Sequence, residues 1–458
     1  MPLGTVLRVR DGMTDAHSQL DEIPATLASR GARRFWAAVV VIGVGTGVAA
    51  GLLTRLLDVI QELVWRAAPH DTLLESVSRT SALHRVVVLA AAGAVTALGQ
   101  VVIRKVTSGN GIDVTEAILF HAGQLPRLRT LASAVLSVVI VAMGTSLGRE
   151  GAPKQVGAVL ANVACDRLAL SDEQRRLLVA CGSGAGMAGA YGVPVGGALF
   201  ALEVMRGLLA LRLVLPALLA SILASAVAWW FLPNAPTYRA PDASDTVAFT
   251  CFAALAGPLA GLASVLYVRL VTAAHRHRPS GRARLIAPVV ALTLLGLAAT
   301  RFPELLGNGK DIAQGTFSAS VAPALVLALV ALKPAATVAC LGSGAPGGLF
   351  TSTLSFGALL GSALGYAAVA AGAGVMPAAC AVVVAAAVLG ATTQGPLSAI
   401  VLVMELTGRD RSYVVPMIVA VVTATLVSRS IEARSIYDAR LTDEQVRARR
   451  APPKAASP

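Results

Sequence analysis

A charged pair between two glycines, Gly148-Arg149-Glu150-Gly151, directly follows the apolar run Leu131–Leu147. A carboxylate at membrane depth is costly unless it lines a watery cavity, pairs with another group or exchanges a proton. The same residues also fit a helix end at which Glu150 pairs with Arg149 beside the lipid headgroups. We favour a functional role for Glu150, because a second glycine-rich interruption occurs later in the chain.

The composition indicates that most of the chain lies in a membrane. Of 458 residues, 55% are hydrophobic and only 14% are charged, which excludes an ordinary water-soluble globule. Some apolar stretches reach the roughly 20 residues that a membrane-crossing helix needs, whereas others are short or interrupted by Gly and Pro. We therefore predict an all-α polytopic membrane protein with broken helices. Its apolar stretches are Phe35–Leu63, Val86–Ile103, Leu131–Leu147, Leu177–Leu202, Leu211–Phe231, Ala248–Val271, Leu285–Ala299, Val321–Val338, Phe350–Val375, Ala378–Val403 and Val414–Val427.

Positive charge is concentrated outside these stretches. The formal net charge is +13, and the basic residues cluster before residue 35, between residues 275 and 284, and after residue 433. The positive-inside rule assigns these three regions, and with them both termini, to the cytoplasm. A nucleic-acid partner is therefore not needed to explain the charge. Residues 1–33 are polar and have no apolar core, so we expect the first span rather than a cleavable signal peptide to direct insertion.

The chain contains an internal repeat. Pro194 is followed nine positions later by Glu203, and Pro396 is followed nine positions later by Glu405, so the two copies are offset by 202 residues. A glycine-rich break precedes each copy, and paired breaks in two halves point to a binding site near the membrane midplane. The acidic connector and the later Arg-rich loop favour halves of inverted orientation. We predict a cytoplasmic segment 1–33, a first membrane repeat 34–231, an external connector 232–245, a second repeat 246–430, and a C-terminal segment 431–458 with a tyrosine and a basic tail.

The breaks suit a small anion. Helix N-termini carry unpaired N–H groups and partial positive charge, and glycine allows the backbone to approach a ligand closely. Such breaks occur at Gly109-Asn110-Gly111, at residues 148–151 and at residues 347–350. A Lys or Arg in the site would bind a small anion too firmly for fast release, so we expect walls of backbone amides without a full cation.

Taken together, Gly148-Arg149-Glu150-Gly151, residues 344–350 (GAPGGLF), the two Pro-to-Glu helices and the late Tyr437 resemble the CLC chloride channels and anion/proton antiporters. The resemblance runs from about residue 35 to residue 441. It implies the inverted-repeat CLC fold, a bacterial inner-membrane location, and a homodimer in the lipid bilayer. Each subunit would have its own anion pathway, and the dimer contact would use Pro194–Phe231 and Pro396–Arg429. The short segment after Leu441 is typical of bacterial members, which lack paired C-terminal CBS modules.

The resemblance also implies roles for individual residues. Glu150 corresponds to the gating glutamate, whose carboxylate occupies an anion site when ionised and swings away when protonated. The anion-binding residues would be Asn110, Gly148, Arg149, Gly151, Leu349, Phe350 and Tyr437, with the amides of Leu349 and Phe350 and the hydroxyl of Tyr437 facing the anion.

The sequence departs from the family at several of these positions. Asn110 replaces the usual anion-coordinating serine, which bears on whether chloride, fluoride or nitrate is preferred. Asp113 replaces a proline, and we expect it to cap the next helix. Val204 replaces the inner proton-relaying glutamate of the antiporters. Lys154 either adds positive potential near the pathway or faces solvent, and the sequence does not decide between these.

The predicted function is transport of chloride or a similar small anion, gated by Glu150, with weak or absent proton coupling because of Val204. A proton-coupled chloride or fluoride antiporter is the alternative. An intramembrane enzyme with Glu150 as its base is a remote one, because no nucleophile or histidine cluster accompanies it. We expect no cofactor and no metal. For Glu203 and Glu405 we favour structural roles, as helix caps or in pairs, over positions in the pathway.

Overall fold

A computed structural model describes residues 22–24, 26–28, 31–68, 71–107, 112–243, 246–409, 411–432 and 434–450. The described residues are almost entirely helical and contain no β-strand, as predicted. Seven of their helices are long and apolar enough to cross a membrane. The helices are α1 (Ala32–Trp65), α2 (Leu73–Arg79), α3 (Ala82–Val106), α4 (Val114–Phe120), α5 (Arg127–Ala142), α6 (Gly151–Arg167), α7 (Asp172–Tyr191), α8 (Pro194–Leu199, continued by a π-helix Phe200–Arg206), α9 (Leu211–Ala228), α10 (Val247–Arg276), α11 (Ala283–Arg301), α12 (Lys310–Phe317), α13 (Pro323–Gly342), α14 (Phe350–Ala370), α15 (Pro377–Thr393), α16 (Pro396–Thr407), α17 (Arg411–Ile431) and α18 (Asp443–Arg450).

The two halves repeat one packing arrangement. In the first half α9 packs on α1 and α7, and in the second half α17 packs on α10 and α15. Close approach depends on glycines in both halves: a Cβ added at Gly47 would lie 2.6 Å from the carbonyl oxygen of Ala224, and one added at Gly261 would lie 2.6 Å from that of Ala424. Small residues at such crossings let helix backbones pack tightly in lipid. The same contact therefore holds α1 to α9 and α10 to α17.

Two predicted apolar stretches are divided by chain reversals. Leu177–Leu202 is interrupted at Gly192, which has a left-handed φ of 69°, before the helix that Pro194 begins. Ala378–Val403 is interrupted at Gln394, with a φ of 59°. A residue in the left-handed conformation ends a helix and proline readily begins the next one, which agrees with the prediction that some apolar stretches are interrupted by Gly and Pro.

The glutamates of the repeat cap each other's helices. The Glu203 carboxylate accepts hydrogen bonds from the N–H groups of Leu397 and Ser398, in the first turn of α16, at 3.2 and 2.6 Å. Glu405 accepts in the same way from Val195 and Gly196, in the first turn of α8, at 3.0 and 2.7 Å. Because a carboxylate stabilises a helix N-terminus, the predicted structural role of both glutamates is confirmed.

Candidate functional site

A short backbone bridge joins the glycine-rich breaks of the two halves. The N–H of Gly148 donates to the carbonyl of Gly348, and the N–H of Gly348 donates back, both at 2.8 Å. A Cβ added at Gly348 would lie 2.1 Å from Glu150 Oε1, and one added at Gly148 would lie 2.2 Å from the same atom. Only glycine fits at these two positions while the carboxylate occupies its place.

The Glu150 side chain is fully buried at the N-terminus of α14. Its Oε1 accepts a hydrogen bond from the N–H of Phe350 at 2.6 Å, and its Oε2 accepts from the hydroxyls of Thr351 and Tyr191, both at 3.1 Å. Phe350 is the first residue of a 21-residue helix, so its N–H has no partner within the helix and carries the partial positive charge of that terminus. The carboxylate thus rests in a place built for an anion.

Arg149 does not neutralise this carboxylate. Its guanidinium carbon lies 5.0 Å from the centre of the Tyr191 ring, and its Nε has no hydrogen-bond partner in the described part of the chain. No ion pair among the described residues joins Arg149 to Glu150. The alternative of a simple Arg149–Glu150 pair at a helix end is therefore wrong, because Glu150 bonds to the other half of the chain instead.

An inner cavity of about 80 Å³ lies next to the glycine bridge, and Gly151, Leu349 and Tyr437 help to line it. The Tyr437 ring packs edge-on against Phe200 with the ring centres 5.5 Å apart. The Tyr437 hydroxyl is buried and has no partner within the described residues. A buried hydroxyl without a partner is costly, which makes it a free donor toward this cavity.

Lys154 also lines the inner cavity, with only 7% of its surface exposed. A solvent-facing Lys154 is thereby excluded. The expectation that no full cation would stand in the walls is wrong for this part of the site. The sequence left open whether Lys154 lies near the pathway or faces solvent, and its position on α6, one turn after Glu150, decides for the pathway.

A wider vestibule of about 320 Å³ adjoins the inner cavity, and Ser133, Gln155 and Arg440 line both spaces. Five arginines reach the vestibule from different elements. Burial, and then the charge of Arg440, lowers the pKa of the Arg278 guanidinium to about 9. The lining arginines are Arg104, Arg129, Arg278, Arg284 and Arg440. Such a surface attracts anions toward the inner cavity.

The structure brings most of the predicted residues together. Asn110 lies outside the described residues, and its role stays a prediction. The N–H of Gly148 already donates to the carbonyl of Gly348. Gly148 stays a predicted anion-site residue because it lies close to the Glu150 carboxylate. Val204 is buried in the π-helix that continues α8, and its carbonyl accepts from Arg449 at 2.9 Å. Asp113 caps α4 by accepting from the N–H of Thr115, as predicted.

Sequence reasoning missed Tyr191 and Thr351 as ligands of the carboxylate. Thr351 follows Phe350 directly, and Tyr191 is the last residue of α7 just before the Gly192 break. Their positions beside recognised breaks were the available signal. Within the described ranges, no group of three or more His, Cys, Asp or Glu side chains is arranged to hold a metal.

Comparison with known proteins gives a consistent result. A sequence model of the family described as voltage gated chloride channel matches residues 92–429. The putative chloride channel protein ClcB-like of Ralstonia nicotianae is 33% identical over 357 residues, which are 76% of this chain and 82% of that protein. The voltage-gated ClC-type chloride channel ClcB of Escherichia coli O157:H7 is 30% identical over 332 residues, 69% of this chain and 76% of that protein.

Solved structures share the fold. A slow cyanobacterial Cl⁻/H⁺ antiporter superimposes with a TM-score of 0.78 at 20% identity, over 91% of this chain and 99% of that one. A CLC-type fluoride/proton antiporter superimposes with a TM-score of 0.69 at 21% identity, over 89% of this chain and 97% of that one.

Proposed function

This chain belongs to the voltage-gated chloride channel (CLC) family, whose members are anion channels and transporters, and we propose that it moves chloride or a similar small anion past a gate formed by Glu150. When ionised, the Glu150 carboxylate holds the place at the N-terminus of α14 that an anion would otherwise take. Protonation removes the negative charge which that helix end binds, and the side chain then leaves. Anion arrival and carboxylate protonation therefore favour each other.

One observation carries the proposal: the 2.6 Å hydrogen bond from the N–H of Phe350 to Glu150 Oε1. A backbone amide at a helix N-terminus binds negative charge without preference for its source, so a halide would make the same contact as a carboxylate oxygen. The Gly148–Gly348 bridge keeps this terminus close to Glu150. This binding position at the Phe350 N–H, which we call the anion seat, is thus shared between the gate and the transported ion.

The proposal includes weak or absent proton coupling. Val204, at the position of the inner glutamate, is buried and has no group that takes up a proton. Its carbonyl accepts a hydrogen bond from Arg449, whose guanidinium also pairs with Asp438. Neither a valine side chain nor a paired guanidinium takes up a proton, so these two residues provide no inner proton site.

Proton-coupled anion exchange is the second candidate. Glu150 alone supplies one exchangeable proton next to the anion seat, and the two similar solved structures are antiporters, one for chloride and one for fluoride. The choice of ion would depend on Asn110. We expect Asn110→Ser to change the ratio of chloride to fluoride flux, because the amide is larger and presents two N–H donors and a separate carbonyl oxygen where serine presents one O–H. Equal flux ratios in the two proteins would remove Asn110 from the selectivity site.

A homodimer with one pathway per subunit fits the surface of α9 and α17. These corresponding helices of the two halves both expose large apolar side chains, including Leu211 and Leu215 on the first and Ile418 and Leu426 on the second. We place the dimer contact on Pro194–Phe231 and Pro396–Arg429. We also place the protein in a bacterial inner membrane with both termini in the cytoplasm, following its basic segments.

Ion flux from liposomes tests the proposal. Purified protein is reconstituted in KCl-loaded liposomes, which are diluted into low chloride with valinomycin while external chloride and pH are recorded together. Rapid chloride efflux with little proton uptake is expected. No efflux above protein-free liposomes would refute anion transport, and proton uptake in fixed proportion to chloride would establish the antiporter instead.

A further inference from the structure

Lys154 lies one turn after Glu150 on α6, and its N–H donates to the Glu150 carbonyl at 3.3 Å. Residues four apart lie on one face of a helix, so Lys154 faces the same side as the gate. The side chain is buried rather than extended toward water. Its charge is therefore directed into the inner cavity that lies next to the anion seat.

The Lys154 ammonium lacks an anionic partner. Its Nζ lies 4.1 Å from the centre of the Tyr437 ring and 4.8 Å from that of Phe200. No hydrogen bond or ion pair of its Nζ occurs within the described residues. Aromatic faces attract a cation, but they replace only part of the hydration that a buried ammonium loses.

The other charged groups at or near this cavity already have hydrogen-bond or ion-pair partners. Asp113 pairs with Arg440 at 3.3 Å. The carboxylate of Glu150 is held by Phe350, Thr351 and Tyr191.

The remaining titratable group in the lining is the imidazole of His275, whose buried Nδ1 has no partner in the described chain. The Lys154 ammonium and the Tyr437 hydroxyl are thus two donors on one small cavity without acceptors of their own. What would satisfy both is a small anion between them.

We propose that Lys154 supplies the positive charge that holds a monovalent anion in the inner cavity, and that it sets both the affinity and the speed of transport. This inference rests on the proposed anion pathway. A full charge in the wall keeps the inner position occupied at low anion concentration. It also slows release, because conduction requires binding weak enough for the ion to leave.

Calorimetric titration of chloride into purified protein tests this directly. Lys154→Met keeps the aliphatic bulk and removes the charge, so chloride binding is expected to weaken at least about tenfold. Lys154→Arg should restore binding to within about threefold of the original protein, because it keeps the cation. Lys105→Met removes an equal charge from an exposed position on α3 and should leave affinity unchanged.

Flux separates a charge effect from a structural one. At saturating chloride, Lys154→Met is expected to transport faster per protein than the original, because the ion is released sooner. Affinity equal to the original in a correctly folded Lys154→Met protein, checked by gel filtration, would overturn the inference. Absence of flux in the unsubstituted protein would instead refute the proposed function, whereas chloride binding would still report on Lys154.

Bromide in crystals of the unsubstituted protein tests the inference without any substitution, should Lys154→Met not fold. An anomalous peak is expected within about 3.5 Å of Lys154 Nζ and near the Tyr437 hydroxyl, which is hydrogen-bond range for a large halide. Bromide peaks elsewhere in the pathway with none near Nζ would contradict the role of Lys154.

Discussion

The carboxylate of Glu150 lies within hydrogen-bond distance of the N–H of Phe350 and of the Thr351 and Tyr191 hydroxyls, and no cation among the described residues pairs with it. The two hydroxyls are also 2.7 Å from each other, so they share their two protons between that contact and the carboxylate. Two of the donors, Phe350 and Thr351, come from the other half of the chain. A site with more donors than a neutral side chain can use favours negative charge, whether it belongs to the protein or to an ion. The gate is therefore a consequence of competition for one set of N–H and O–H groups.

Glu150→Gln removes the competing charge and keeps the shape. We expect anion flux at neutral pH to rise at least about tenfold, because a charged group holds such hydrogen bonds more strongly than a neutral amide. Dependence of flux on pH and all proton movement should disappear. The measurement is chloride efflux with external pH recording, with Glu62→Gln, an exposed glutamate on α1, as the control. If an imposed chloride gradient still drove protons across the membrane in the variant, Glu150 would not be the coupling group.

Thr351→Val removes one of the bonds that hold the gate in place. The lost hydroxyl bond to a charged oxygen is worth roughly 1.5–3 kcal/mol, so chloride should displace the carboxylate at a concentration at least about tenfold lower. The concentration of chloride that gives half-maximal flux measures this. Thr392→Val, whose hydroxyl bonds only carbonyls of its own helix, should leave that concentration unchanged. An equal effect of both substitutions would show that Thr351 acts through general stability.

At the scale of helices, the reciprocal caps connect the two halves. Glu203 of the first half caps α16, and Glu405 of the second half caps α8. Each bond therefore ties a helix to the opposite repeat, so the caps stabilise the arrangement of the halves as well as the helix ends.

Glu405→Ala should reduce stability without abolishing the pathway. Loss of a capping carboxylate from a half-buried helix end costs about 1–2 kcal/mol. We expect a lower midpoint of thermal unfolding in detergent, while Glu62→Ala should leave the midpoint in place. A Glu405→Ala protein as stable as the original would mean that water replaces the carboxylate at α8 without loss.

At the scale of the whole molecule, the sequence was sufficient for the architecture. Hydropathy predicted a helical membrane protein, and the Pro-to-Glu repeat predicted two related halves, because both signals are local in the chain. Gly and Pro also predicted that some apolar stretches would be interrupted, but hydropathy does not identify the left-handed residues Gly192 and Gln394 at which two of them divide.

The site was predictable only in part for a similar reason. Glu150 and Phe350 lie in glycine-rich breaks and are visible in the sequence. Tyr191 reaches the carboxylate only because α7 packs on α6, and Lys154 enters the cavity because of the direction in which α6 starts. Such tertiary placement leaves no periodic signal, so helix ends were easier to predict than the side chains that complete the site.

The most direct test of the account is the location of bromide in crystals of the Glu150→Ala protein compared with the unsubstituted one. If carboxylate and anion contest one seat, the variant will show an anomalous peak at hydrogen-bond distance from the N–H of Phe350, and the unsubstituted protein will show none there while Glu150 occupies it. Bromide beside Phe350 in the unsubstituted protein, with the carboxylate still in place, would contradict the account. So would a variant without bromide at that amide.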